Sequence, residues 1–369
     1  VSRGAHSTER EALIALAHAV EPGDARVGAL IDRWSAIGLS RRLLAGEIGI
    51  REQGAMRARL ARVDVSESEA AANAIGARII VRGDREWPTQ LDDLGAARPL
   101  AIWVLGAANL RLTALRSIAV VGARAATAYG ESICRDWCAA LSEHSFTVVS
   151  GGAYGIDAAA HRATLSVGGM TICVLASGVD TPYPRAHDAL LARIADEGLV
   201  VSESPLGQEV RRQRFLTRNR LIAALTRATL VVEAAVRSGT TSTANAAMAL
   251  NRPVLAVPGP VTSVMSGGCH KLIRDTDAVL ASRVDDVLEV IGELGEFSPP
   301  SPERRSLDDL SPSQARILDG IPARGAIGID ELVLDSGLKV AEVSGALAVL
   351  TIQGFVDEGD GGWRLARRR

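Results

Sequence analysis

The chain has 369 residues, 41 Lys and Arg against 43 Asp and Glu, and an apolar share of 47%. That length allows two or three domains, and the apolar content excludes disorder as the main state. A net charge of −2 excludes a polybasic, histone-like protein, yet leaves room for a local basic patch, which is all that nucleic-acid binding needs.

Lysine occurs only at Lys271 and Lys339, so any bound anion meets mostly guanidinium groups, which are planar and bidentate. The four cysteines, Cys134, Cys138, Cys173 and Cys269, form no C-x-x-C pair. They read as buried thiols of a reduced, cytoplasmic protein with no metal site. The start of the chain shows no basic-then-apolar signal pattern. No apolar run reaches membrane-spanning length, so no membrane insertion is expected.

Residues 1–75 predict a small helical domain. Leu13, Ile14 and Leu16, then Val27, Leu30 and Ile31, recur at helical spacing, punctuated by glycines. A helix-hairpin-helix module is the alternative to a plain accessory domain. Trp87-Pro88 and the stretch Pro99–Gly106 predict an extended lead-in with one short strand.

Residues 76–294 predict an α/β domain. Six short, β-branched-rich segments alternate with helical patterns: Ile118–Val121, Thr147–Ser150, Thr171–Leu175, Leu199–Ser202, Thr229–Glu233 and Val254–Val257. Apolar strands joined by helices imply a Rossmann-like, doubly wound parallel sheet covered on both faces. Its ligands belong at the carboxyl ends of the strands. Pro, Ser and charge mark 295–307 as a linker. Residues 308–369 predict three helices and a hairpin, which is the order of a winged helix. Its third helix, from Val340 onward, carries almost no base-reading side chains, which favours protein contact over reading of duplex DNA.

Three segments place chemistry at the predicted sheet edge. Val121-Gly122-Ala123-Arg124 ends the first strand and lacks both the Walker A and the dinucleotide pattern, so no cofactor is expected. Ser150-Gly151-Gly152 enters a helix and offers amide groups to an anion; the same glycines also serve a plain turn. Asp157 is placed as the helix N-cap, and His161 as a packed, hydrogen-bonded side chain without a catalytic partner. Arg237-Ser238-Gly239-Thr240 repeats the cradle pattern.

The basic run Arg211-Arg212-Gln213-Arg214-Phe215-Leu216-Thr217-Arg218-Asn219-Arg220 sets five arginines around one of only four phenylalanines. Guanidiniums that neutralise phosphates beside a ring that stacks a base make a single-strand binding surface. The same run also reads as a solvated helix start, with Phe215 in the core and Arg218 and Arg220 fastening the helix to the sheet.

These segments resemble the DprA/Smf family of DNA-processing proteins. The resemblance rests on V-G-A-R at 121–124, S-G-G-A-Y-G-I-D-A-A-A-H at 150–161 and Tyr183-Pro184. It extends through R-F-x-x-R-N-R-L-I-A at 214–223, S-G-T-x-x-T-A at 238–244, V-P-G at 257–259 and Ser266-Gly267 ahead of Leu272-Ile273. The lead-in W-P-x-x-L-x-x-L at 87–94 and both flanking domains agree. The resemblance implies a non-enzymatic homodimer that binds and shields single-stranded DNA in natural transformation and loads the RecA recombinase onto it. By motif, DNA contacts fall on Arg124, Gly151, Gly152, Arg212, Phe215, Arg237, Ser238 and Gly239, with Arg214 and Arg218 from the same basic run. Dimer contacts fall within 268–282. This chain departs from the family pattern at Tyr154, at His187 and at Asp275-Thr276-Asp277.

Two other readings stand beside this one. A nucleotide hydrolase similar to the lysine-decarboxylase-like group would need a Glu where Thr243 stands. A winged-helix regulator would need a reading helix richer in polar side chains.

Overall fold

A computed structural model describes residues 6–49, 52–236, 239–293, 295–297, 310–323, 325–359 and 361–366. The chain forms two compact units, 1–298 and 299–369.

The first unit opens with four helices, α1 (Glu9–Ala19), α2 (Ala25–Ala45), α3 (Gln53–Leu60) and α4 (Val65–Ala74). Thr8 and Glu11 close a reciprocal capping box at the start of α1. Helix α2 is broken at Ser35, where φ is +63°. Leu16, Leu39, Leu43, Met56 and Leu60 form the core of this layer. The other face of α1 packs Ile14 and Ala17 with Trp103 and Ile79, in one core with the sheet.

Two strands follow, β1 (Ala77–Val81) and β2 (Ala101–Leu105), paired antiparallel. The sequence predicts only the second of them. Strand β1 begins directly after Gly76, whose φ of +75° turns the chain out of α4, so its apolar residues merge with the helical pattern before them.

Helix α5 (Leu110–Leu115) leads into the alternating part. There β3 (Ser117–Val121), α6 (Ala128–Glu143), β4 (Thr147–Gly151), α7 (Ile156–Ser166) and β5 (Thr171–Leu175) run in order. Next come α8 (Asp188–Glu197), β6 (Leu199–Ser202), α9 (Arg212–Leu225), β7 (Thr229–Val231) and α10 (Thr240–Ala249). Strand β8 (Val254–Ala256), α11 (Gly267–Asp275), β9 (Val279–Leu280) and α12 (Val284–Ile291) complete the unit.

Among the described residues nine strands form one sheet, in the order β1-β2-β6-β5-β4-β3-β7-β8-β9. From β6 to β9 every pairing is parallel, and β2 joins β6 antiparallel. Helices cover both faces. Ile222 and Ala244 enter the core on one side of the sheet, and Trp137, Leu141 and Leu288 enter the core on the other. The fold is therefore the Rossmann-like α/β sheet that the alternation implies. Chain order reverses at β3: β4, β5 and β6 build outward on one side, and β7, β8 and β9 on the other. In such sheets the crevice for ligands opens at that reversal, beyond the carboxyl ends of the strands.

The second unit holds α13 (Pro312–Gly320), α14 (Ile329–Ser336) and α15 (Val340–Ile352), then the hairpin β10 (Val356–Gly359) and β11 (Gly362–Leu365). Ser311 caps α13 with Pro312 in its first turn, and α14 ends at Gly337 with φ +65°. Ile317, Leu332, Val343, Leu347 and Val356 form the core. Ile327 bridges Trp363 beside the hairpin, giving the winged-helix arrangement. The outer face of α15 shows Val340, Glu342, Ser344, Gly345 and Ala348 to solvent.

Candidate nucleic-acid interface

The turn after β3 is clamped from both sides. The Ala123 amide donates to the Glu233 carbonyl (2.7 Å), and the Ile156 amide donates to the Ala123 carbonyl (3.1 Å). A Cβ on Gly122 would run into Ile156, and one on Gly155, at φ +74°, would strike the Ala123 and Arg124 carbonyls. These close approaches hold the turn rigid and leave Arg124 exposed at the sheet edge.

Arg124 lies over the ring of Phe215, its Cζ 5.2 Å from the centroid. Tyr183 meets the same ring at 5.8 Å with the planes tilted by 59°. The three line a cleft of about 820 Å³ together with Arg212, Leu216 and Asn219. A niche of about 70 Å³ adjoins it, walled by Tyr154, Tyr183, Gly152 and Phe215. Residues 212, 215, 216, 219 and 222 of α9 all face the cleft, the i, i+3, i+4, i+7 stripe of a helix.

Arg218 forms part of the cleft floor. It is 8% exposed; Nη1 donates to the Val174 carbonyl and Nε to Asn219 Oδ1 (3.1 Å). Its guanidinium lies where a Cβ on residue 151 would be. Burial pulls its pKa down, and the Asp157 carboxylate opposes that. Asp157 is largely buried, which pushes its pKa up, while Arg218, the Ala153 amide and Ser150 favour its ionised form. Among the described residues neither Arg124 nor Arg212 has an ion-pair partner, so the cleft carries surplus positive charge.

Gly151 is buried, and its main visible role is to admit Arg218; its carbonyl accepts from His161 Nε2 (3.0 Å). The Gly152 carbonyl accepts from His187 Nδ1 (3.1 Å). His161 sits within 2.7 Å of the Thr171 hydroxyl, and burial lowers its pKa to about 4. It is the packed, hydrogen-bonded histidine that the sequence implies: the Gly151 carbonyl can only accept, so Nε2 carries a proton, and the Thr171 hydroxyl beside Nδ1 donates to the Val148 carbonyl (2.8 Å). Asp157 is not the N-cap. That position is Gly155, and Asp157 is the second residue of α7.

The basic run divides. Arg212, Phe215 and Arg218 join Arg124, Gly152 and Gly239 around the cleft and its niche. Arg214 does not. It stands 200° around the helix from Arg212, 7% exposed, with Nε 3.0 Å from Glu21 Oε2 and Nη1 3.2 Å from Gln208 Oε1. Arg220 is likewise a fastening, held by both oxygens of Glu203 (2.7 and 2.8 Å) and by the Ala97 carbonyl. Arg237 and Ser238 lie outside the described residues. Gly239 caps α10 without a side-chain hydrogen bond, and Thr240 Oγ1 donates to the Gly122 carbonyl (2.9 Å). Helices α7 and α10 thus begin beside the cleft, each behind a glycine, and the positive end of a helix is a favourable setting for an anion.

Sequence reasoning passed over Tyr183, Asn219 and Leu216 as cleft residues. The helical stripe from Arg212 would have found the last two; Tyr183 arrives from a separate loop. Glu233, at the end of β7, is committed elsewhere and accepts the Thr127 amide (2.9 Å) and hydroxyl (2.6 Å). Among the described residues no group of three His, Cys, Asp or Glu is placed to hold a metal ion, and no helix is long and apolar enough to cross a membrane.

Comparison with known proteins agrees with this architecture. The family described as DNA recombination-mediator protein A matches residues 78–292, and the DprA winged helix domain matches 300–362. A putative DNA processing protein DprA of Mycobacterium tuberculosis is 44% identical over 95% of this chain and 93% of its own length. Protein Smf of Escherichia coli is 37% identical over 73% and 72%. The crystal structure of DprA from Streptococcus pneumoniae superposes with a TM-score of 0.66 at 30% identity, covering 79% of this chain and 99% of that one. DNA processing protein A from Helicobacter pylori, described with a single-stranded DNA binding mode, gives a TM-score of 0.52 at 26% identity over 58% and 94%. The chain belongs to the DprA/Smf family of DNA-processing proteins.

Proposed function

We propose that this protein binds single-stranded DNA in the cleft beyond β3 and β7, shields it, and hands it to the RecA recombinase during transformation or recombination. The observation that carries the reading is Arg124 stacked on Phe215 at the switch point of the sheet. One group neutralises phosphate, the other offers a face to any base, and the two are already assembled. Arg212 and Arg218 extend the charge along α9. Arg237 and Ser238 belong to the same proposed surface by motif. Recognition by backbone charge and stacking carries little sequence preference.

We assign no catalytic step to the protein. Asp157 lies in the cleft wall but is nearly buried and faces the Arg218 charge, and Glu233 holds the start of α6. A regulator that reads duplex DNA is disfavoured by the exposed face of α15, whose small and apolar residues surround Glu342. The protein acts as a homodimer in this reading, with the contact within 268–282.

The binding reading is tested by titrating matched single-stranded and duplex DNA across a range of salt. Preference for the single strand supports it, and duplex preference contradicts it. The recombinase step is tested separately. RecA filament formation on DNA coated with single-strand-binding protein should quicken when this protein is added; no change in rate would remove that step.

A further inference from the structure

A second cavity, of about 130 Å³, lies on the opposite side of the first turn of α9. Three guanidiniums line it: Arg59 of α3, and Arg211 and Arg214 from the start of α9. Glu21 is the one carboxylate in its wall. His18, also in the wall, is bonded to Ser68 Oγ (2.8 Å), and burial lowers its pKa, which disfavours its charged form.

The three arginines are held differently. Arg214 is fixed, gripping Glu21 through Nε and Nη2 and Gln208 through Nη1. Arg211 keeps one 3.3 Å contact with Glu21, and 66% of its side chain is exposed. The Arg59 side chain is exposed and has neither ion pair nor hydrogen bond among the described residues. Burial alone would raise the Glu21 pKa, but the Arg214 hydrogen bond and the charges of all three arginines bring it below the usual carboxylate range. Glu21 is therefore ionised, and three cations face one anion. The mouth of the cavity retains two exposed guanidiniums with donors to spare.

Position gives this surplus a use. Arg212 lines the large cleft and Arg211 lines this cavity, and the two are neighbours in the chain. We propose that the cavity takes a backbone phosphate of the strand after it has passed Arg212 and crossed the first turn of α9. The helical front layer, through Arg59, then lengthens the footprint on single-stranded DNA. This rests on the single-strand reading above and adds a second binding point to it.

The test compares Arg59→Glu with wild type on two thymidine homopolymers. One of about eight nucleotides fills only the large cleft, and one of about 25 passes beyond it. Arg59→Glu should leave affinity for the short strand within about twofold. It should weaken the long strand roughly tenfold and make its salt slope shallower by roughly 0.7 for each phosphate no longer neutralised. Arg59→Lys should recover most of the long-strand affinity. Equal losses at both lengths, or no loss at either, would overturn the proposal. Among the described residues the Arg59 side chain has no hydrogen bond or ion pair, so misfolding is not expected, and equal melting temperatures verify this. Should wild type bind neither strand, the single-strand reading itself fails. Inorganic phosphate then decides whether the cavity is an anion site at all. A rise in melting temperature in wild type but not in Arg59→Glu keeps it as one, and no rise in either discards it.

Discussion

Gly151 ends β4 at the spot where the Arg218 guanidinium presses on the sheet, and the space a Cβ would fill at 151 is taken by that guanidinium. The missing side chain thus positions a buried cation under the cleft. Gly151→Ala should expel Arg218 or distort β4. Overpacking of this kind costs about 1–3 kcal/mol. We expect a lower melting temperature together with weaker single-strand binding. Unchanged values for both would show that the clash is easily relieved.

Phe215→Ala removes the ring beneath Arg124. The loss should be about 1–3 kcal/mol of binding, the worth of one base stack. The salt slope should stay near roughly −3, the value for about four phosphates on a single strand. A shallower slope in Phe215→Ala would mean that the ring serves to hold Arg124 in place and does not stack a base.

Arg220 belongs to the same basic run yet should behave in the opposite way. Its partner Glu203 is 8% exposed, so Arg220→Ala leaves a nearly buried carboxylate without its cation. Such breakage costs about 3–5 kcal/mol. Stability should fall while the salt slope of DNA binding in the folded protein stays the same. A change of slope at full stability would move Arg220 to the DNA surface.

The basic run shows what the sequence reveals and what it hides. Five arginines and one ring announce an anion site, and their order even contains most of the cleft stripe, from Arg212 to Asn219. What the run does not show is the partners. Glu21 lies 193 positions before Arg214 and Glu203 lies 17 before Arg220, and only the folded chain brings these acids under α9. The same holds for Gly151. Its spacing suggests an amide cradle for phosphate, and the structure shows a seat for a side chain 67 positions later in the numbering. The sheet is more legible, because fully apolar β-branched segments have few alternatives once helices alternate with them. Strands β1 and β9 are the exceptions: β1 adjoins a helix with no polar gap, and β9 is only two residues long.

His161 predicts a pH dependence. Its pKa falls from 6.5 to about 4 on burial, so the unfolded chain takes up a proton that the folded one refuses. The native state therefore loses stability as pH falls from about 6.5 toward 4, by about 2 kcal/mol at pH 5. His161→Gln keeps a donor for the Gly151 carbonyl and cannot titrate. The stability difference between pH 7 and pH 5 should be smaller in the variant by about that amount. Equal pH dependence in both proteins would show that His161 is protonated in the fold.

The central claim is that single-stranded DNA lies at the carboxyl edge of the sheet, on Arg124 and Phe215. The most direct measurement is salt-titrated binding of single-stranded and duplex DNA of one mixed sequence, with wild type and Arg124→Glu side by side. The account predicts strong preference for the single strand in wild type and loss of that binding in Arg124→Glu, whose side chain is exposed and has no ion pair among the described residues. Equal or duplex-favoured binding that survives Arg124→Glu would contradict it and place the DNA on another surface.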